Sequence, residues 1–134
     1  MKADTKTQAE IVDVLERFKN SVAARDLSGV LRLFADDSDV FLLGSEASEK
    51  ALGPSQLKSF FEGLFSQPVV YVFEWKSYSI SNSGSVGWAA IDALIHMKGG
   101  GRDAKAPYRI TVVLEKRKDR WFLMQFHGSE PVKA

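Results

Sequence analysis

Cysteine is absent from this 134-residue chain, which excludes disulfide frameworks, thiolate metal sites and cysteine nucleophiles. An excess of one charge is lacking too: 18 Lys and Arg stand against 17 Asp and Glu, for a net charge of +1. No global field draws such a chain to nucleic acid or to a membrane surface, and neither is expected as a partner. No apolar run approaches the ~20 residues that span a bilayer. The N-terminal MKADTKTQAE lacks the apolar core of a secretory signal, so a cytoplasmic location is expected. Histidine is scarce: His96 and His127 lie far apart, outside any HExxH frame, and no zinc site is expected. Asp36, Asp37 and Asp39 lack the spacing and glycine of a calcium loop and read as turn residues. With no glycine-rich phosphate loop and no nucleophile elbow, nothing asks for a metal or a cofactor.

What is present is an ordinary soluble composition, 45% hydrophobic and 26% charged, at a length that suits one domain over residues 1–134. Thr7 and Glu10 have capping-box spacing, and Ile11, Val14, Leu15, Phe18 and Val22 follow at helical period. A second, short helix fits Leu27, Val30, Leu31 and Phe34, started by Asp26 or Ser28. DVFLLG reads as a short strand and SEASEKALG as a polar loop. Gly53-Pro54 then opens a third helix carrying Leu57, Phe60, Phe61, Leu64 and Phe65. That stripe reads as core.

From Val69 the period becomes two. VVYVFEWKSYSI, SVGWAAIDALIHM, PYRITVVLEKR and RWFLMQF read as strands joined by NSGS, KGGGRDAKA and KD, an antiparallel meander. Helices followed by such a meander predict an α+β fold. The basic cluster Lys116-Arg117-Lys118 with Arg120 surrounds the last turn and reads as a solvated hairpin rather than a phosphate patch. In SVGWAAIDALIHM both strand faces are apolar. Helices can cover one face, and a second copy of the chain is the simplest cover for the other, so a homodimer is expected.

This order of elements resembles the nuclear transport factor 2-like (cystatin-related) fold, in which three helices pack on a strongly curved antiparallel sheet. FADDSDVFLLGSEASEKALGPSQLKSFF, GSVGWAA and YRITVVLEKRKDRWFLMQFHGS resemble segments of SnoaL-like domains, and the Trp…Phe-His-x-Ser ending also resembles the calmodulin-dependent kinase II association domain. The resemblance implies a cone-shaped pocket, but not one activity, because isomerases, cyclases, dehydratases, ligand binders and association domains share the fold. Ketosteroid isomerases of this fold hold an Asp base at the end of the first strand. Leu42 or Leu43 stands there here, and a leucine cannot accept a proton.

The pocket residues depend on register. If Lys118-Asp119 is a two-residue turn with uninterrupted pairing, Thr111 opposes Phe126 and Val113 opposes Met124. One face then holds Arg109, Thr111, Met124 and Phe126, joined through the resemblance by Trp88 and Asp92. A bulge would instead turn Tyr108, Ile110, Val112 and Leu114 inward. In the first register Asp92 is a candidate proton-transfer group or an ion-pair partner of Arg109, and Arg109 could anchor an anionic ligand. His127 is then either an outer-face interface residue or a second catalytic candidate. Glu46 and Glu49 read as solvated loop acids. The leading expectation is a homodimeric SnoaL-like protein binding a small apolar or anionic molecule. The alternatives are an isomerase, cyclase or dehydratase using Asp92 or His127, and a non-catalytic association module.

Overall fold

The computed structural model describes residues 1–133, apart from the side chain of Arg102; Ala134, the end of the expected domain, lies outside them. The elements run α1 (Thr5–Ala23), α2 (Leu27–Leu31), β1 (Phe41–Leu43), β2 (Lys50–Leu52), α3 (Gly53–Phe65), β3 (Val70–Ser83), β4 (Val86–Gly99), β5 (Arg102–Arg117) and β6 (Arg120–Ser129). The strands form one open sheet in the order β2-β1-β6-β5-β4-β3. The expected α+β arrangement is present, with one amendment: β1 runs parallel to β6, so the sheet is mixed rather than wholly antiparallel.

Helix α1 buries Ile11, Val14, Leu15, Phe18 and Val22, the stripe its period prescribes. Its cap is Asp4, whose carboxylate accepts from the Thr7 amide at 2.8 Å, so Thr7 is not the capping residue expected from its spacing to Glu10. Glu10 is engaged elsewhere: its Oε1 accepts from Trp121 Nε1 at 2.9 Å and from Lys116 Nζ at 3.3 Å. Asp26 caps α2 through the Gly29 amide. In α3, proline occupies the first turn and Leu57 and Phe61 are fully buried. The loop expected before α3 contains strand β2, too short to show a period. The polar RDAKA expected in a connection belongs to β5, because pairing with β4 extends to Gly99↔Arg102. Residues 1–3 continue the sheet beyond β3, with the Ala3 amide donating to Ile80 O at 3.1 Å.

Two bulges bend the sheet. Lys76 is the extra residue between Trp75↔Ala93 and Ser77↔Asp92. Met124 is the extra residue between Leu114↔Leu123 and Val113↔Gln125. The Lys118-Asp119 turn has two residues, as expected, both at positive φ (48° and 65°), which matches the twist of the flanking strands. Met124 then shifts the register by one beyond it. Thr111 opposes His127 and Val112 opposes Phe126, so the uninterrupted register does not occur. The inner face consequently carries Ala89, Ile91, Ala93 and Ile95 of β4 and Ile110, Val112 and Leu114 of β5, all buried against the helices in one core.

Candidate functional site

Where the helices diverge from the bent sheet, a cavity of about 170 Å³ remains. Phe18 and Val22 of α1 and Phe60, Phe61 and Leu64 of α3 form its helical wall. The sheet wall is built from Leu42, Phe73, Ile95 and Phe126, with Tyr71 and Met97 toward the strand ends and Tyr108 from the middle of β5. The rings pack on one another: Phe18 stacks on Phe126 with centroids 4.8 Å apart, and Phe73 leans on Tyr108 at 5.8 Å. Such pairs are worth about 0.5–1.5 kcal/mol beyond area burial.

Polar groups gather at one end. Ser45, Glu46 and Glu49 come from the loop after β1, and Glu130 from the segment after β6. The loop is tightly closed: the Gly44 amide donates to Glu49 O at 2.7 Å, and the Glu46 amide donates to Glu49 Oε1 at 2.9 Å. Gly44 is needed there because a β-carbon would collide with the Glu49 side chain. Tyr108 rests against Gly128 in the same way. Its phenol is pushed up to about 12, first by burial and then by the Glu49 charge, with the Ser45 hydroxyl pulling back and Glu130 adding a further rise. At neutral pH it is therefore a hydrogen-bond donor. Among the described residues, no three His, Asp or Glu side chains converge well enough to hold a metal ion.

Of the residues expected to line the pocket, Phe126 does so. Trp88, Asp92, Arg109 and Thr111 share a face, but it is the outer one, where all four are exposed. Asp92 directly opposes Arg109, yet among the described residues no ion pair joins them. An exposed carboxylate loses the desolvation argument that made Asp92 a proton-transfer candidate. His127 lies beside Thr111 on the same outer face. Met124 occupies the bulge, with Sδ 3.9 Å from Arg117 Nη2, and does not line the cavity. Arg117 in turn clasps Asp37 through two hydrogen bonds of 2.7 Å and holds that carboxyl below its usual range. His96 Nε2 lies 3.0 Å from Glu74 Oε1, a cross-strand pair outside the cavity.

The cavity residues least visible in the sequence are Tyr108, Glu46, Glu49 and Glu130. Only the bulged register puts Tyr108 inside, and the loop acids carry no periodic signal. Phe18 and Phe61 are legible as core, but nothing in a helical stripe distinguishes a filled core from a hollow one.

The model of the SnoaL-like domain matches residues 11–133. The chain belongs to the SnoaL-like domain family. Solved structures agree on the fold of this SnoaL-like domain. A nuclear transport factor 2-like superfamily protein from Salmonella enterica superposes with a TM-score of 0.87 at 18% identity, covering 98% of this chain and 96% of its own. A protein of the same fold family from Streptomyces avermitilis, named as a candidate dehydratase, gives 0.88 at 14% identity, with 97% and 100% covered. A candidate calcium/calmodulin-dependent protein kinase II association domain from Xanthomonas campestris gives 0.80 at 19% identity, with 99% and 96% covered. Among curated proteins, none matches this chain. At these identities the likeness carries the fold and not the activity. No helix of the described residues is long and apolar enough to cross a membrane.

Proposed function

We propose that this SnoaL-like domain binds a small, single-ring apolar molecule in the cavity between α1, α3 and the inner sheet face. The observation that carries the reading is the cavity itself: about 170 Å³, walled by aromatic and aliphatic side chains, with Ser45 and three carboxylates among its lining. Apolar walls with a few convergent polar groups are the usual make-up of a small-ligand site. An engineered apolar cavity of roughly 150 Å³ holds one benzene, which sets the size of the occupant. Steroid isomerisation has no support, because Leu42, the β1 residue in the cavity, offers no base.

The same reading includes a homodimer. On the outer face the row Trp88–Val113–Gln125–Phe41–Leu52 crosses the sheet, and Trp88 and Leu52 are 36% and 52% exposed. Beside it lie Asp92 and Arg109, opposite charges unpaired within the described residues. A two-fold axis would allow each to meet its opposite on a second copy, as self-complementary faces require.

Ligand-detected NMR against single-ring fragments tests the binding site. Hits should disappear in Leu64→Trp, which fills the cavity from its α3 wall, and persist in Thr111→Ala on the outer face. Binding that is lost in Thr111→Ala and kept in Leu64→Trp would overturn the assignment. A dehydratase-type reading is favoured by one observation, that Tyr108 and the three carboxylates at the cavity end are groups able to move a proton.

A further inference from the structure

The polar end of the cavity has one sign. Glu46, Glu49 and Glu130 line it, and among the described lining residues none is Lys, Arg or His. The walls suit the same charge. Seven aromatic rings border the cavity, and a ring whose face meets a bound cation attracts it. From these two independent features we infer that the site selects an organic ammonium ion, a single-ring arylalkylamine or a small quaternary ammonium, whose apolar body fills the ring-lined cavity while its charge meets the carboxylates. This inference rests on the proposed use of the cavity as a ligand site.

Both halves of such a ligand find partners in this geometry. An ammonium is attracted by ring faces as well as by carboxylates, and the attraction grows where water is excluded. The stacked Phe18–Phe126 pair and the Phe73–Tyr108 contact hold rings at the cavity wall without the ligand's help. Glu49 is likewise fixed beforehand, by the bond from the Glu46 amide to its Oε1 and by the close fit against Gly44. Groups set in place before binding lose little freedom on binding.

The competing charges fit less well. An anion would meet three carboxylates, and the guanidinium expected to receive it, Arg109, lies on the other face of the sheet. A bare metal ion lacks a convergent set of ligands among the described residues. A neutral ligand would fill the ring-lined space but leave the three carboxylates without a counter-charge. The Glu49 and Glu130 charges reach this space, since both add to the rise of the Tyr108 phenol that burial begins.

Titration calorimetry with three probes of similar shape decides the matter: 2-phenylethylamine (positive at neutral pH), 2-phenylethanol (neutral) and 3-phenylpropanoate (negative). At low ionic strength the amine should bind at least about tenfold more tightly than the alcohol, with the carboxylate weakest. The margin should shrink with added salt and in a Glu46→Gln, Glu130→Gln double variant, which keeps side-chain size and leaves Glu49 and its loop bond intact. Equal affinity for amine and alcohol overturns the ammonium inference while leaving the ligand site standing. So does a margin that survives both glutamine substitutions and high salt. If none of the three binds, or if binding ignores Leu64→Trp, the ligand-site reading itself fails and this one with it.

Discussion

The Tyr108 phenol lies against Gly128, in the space a β-carbon at that position would fill. Tyr108 comes from β5 and Gly128 from β6, and the bulge at Met124 puts both on the inner face. Position 128 does not have a positive φ, so alanine there strains no backbone. It simply evicts the ring. Gly128→Ala should cost about 1–3 kcal/mol, the usual range for overpacking, and should weaken amine binding by moving the phenol. Pairing it with Tyr108→Ala should show strong non-additivity in denaturant unfolding, since the collision needs both side chains. Additive losses would separate the two residues.

Tyr108 also sets a prediction in pH. Its folded-state value of about 12 lies above the ordinary tyrosine value of 10.0, so the folded chain holds the proton more tightly than the unfolded chain. Below pH 10 both states are protonated and the contribution is fully present. As pH rises from 10 toward 12 the unfolded chain ionises first, and stability is progressively lost. The urea midpoint of the wild type should therefore fall over this window by more than that of Tyr108→Phe. The absorbance difference between the two proteins at 295 nm should develop near pH 12. Development near pH 10 would place the phenol in water.

How far these features are legible in the sequence depends on what encodes them. The α1 stripe from Ile11 to Val22, the proline opening α3 and the alternation of β4 follow from local period, and all three are where the sequence puts them. The two-residue turn at Lys118-Asp119 is there too. The departure begins at Met124. A bulge is one extra residue in one strand, with no composition of its own at Met124, yet it inverts which residues of β5 share a face with Phe126. Trp88, Asp92, Arg109 and Thr111 went to the wrong side of the sheet together, as a block, because register moves whole faces at once. Glu46 and Glu49 became part of the cavity through a closed loop whose bonds run between neighbours in space, a matter of tertiary geometry rather than of pattern.

The outer face gives a test of assembly. Trp88 is large and 36% exposed, and it stands in the row that reaches Leu52 at the far edge of the sheet. A stable pairing of two copies should bury about 1,600 Å² in total. Light scattering at micromolar concentration should report a dimer for the wild type and a monomer for Trp88→Glu, which puts a carboxylate into the apolar row. His127, one row away beside Thr111, should weaken the dimer when changed to alanine without altering amine binding. A wild-type monomer would leave the outer apolar row without the proposed partner.

The last prediction separates core from cavity within a single helix. Leu57 and Phe60 are three residues apart on α3, but Leu57 is 1% exposed and lies within the core, whereas Phe60 borders the cavity. Removing buried atoms costs their transfer energy plus the energy of the void they leave. At Leu57 the surroundings are filled, so Leu57→Ala should cost about 2–5 kcal/mol in unfolding experiments. Ligand affinity in the folded protein should hardly change. At Phe60 the space is already open on one side, and the main direct loss is the edge-to-face contact with Phe61 at 5.1 Å. Such contacts are worth about 0.5–1.5 kcal/mol beyond area burial. Phe60→Ala should therefore destabilise less than Leu57→Ala while enlarging the site, so that a two-ring amine gains affinity relative to 2-phenylethylamine. Calorimetry of both amines against both variants reads this directly. A gain seen in Leu57→Ala instead of Phe60→Ala would mean that the ligand enters the core from a different side of α3.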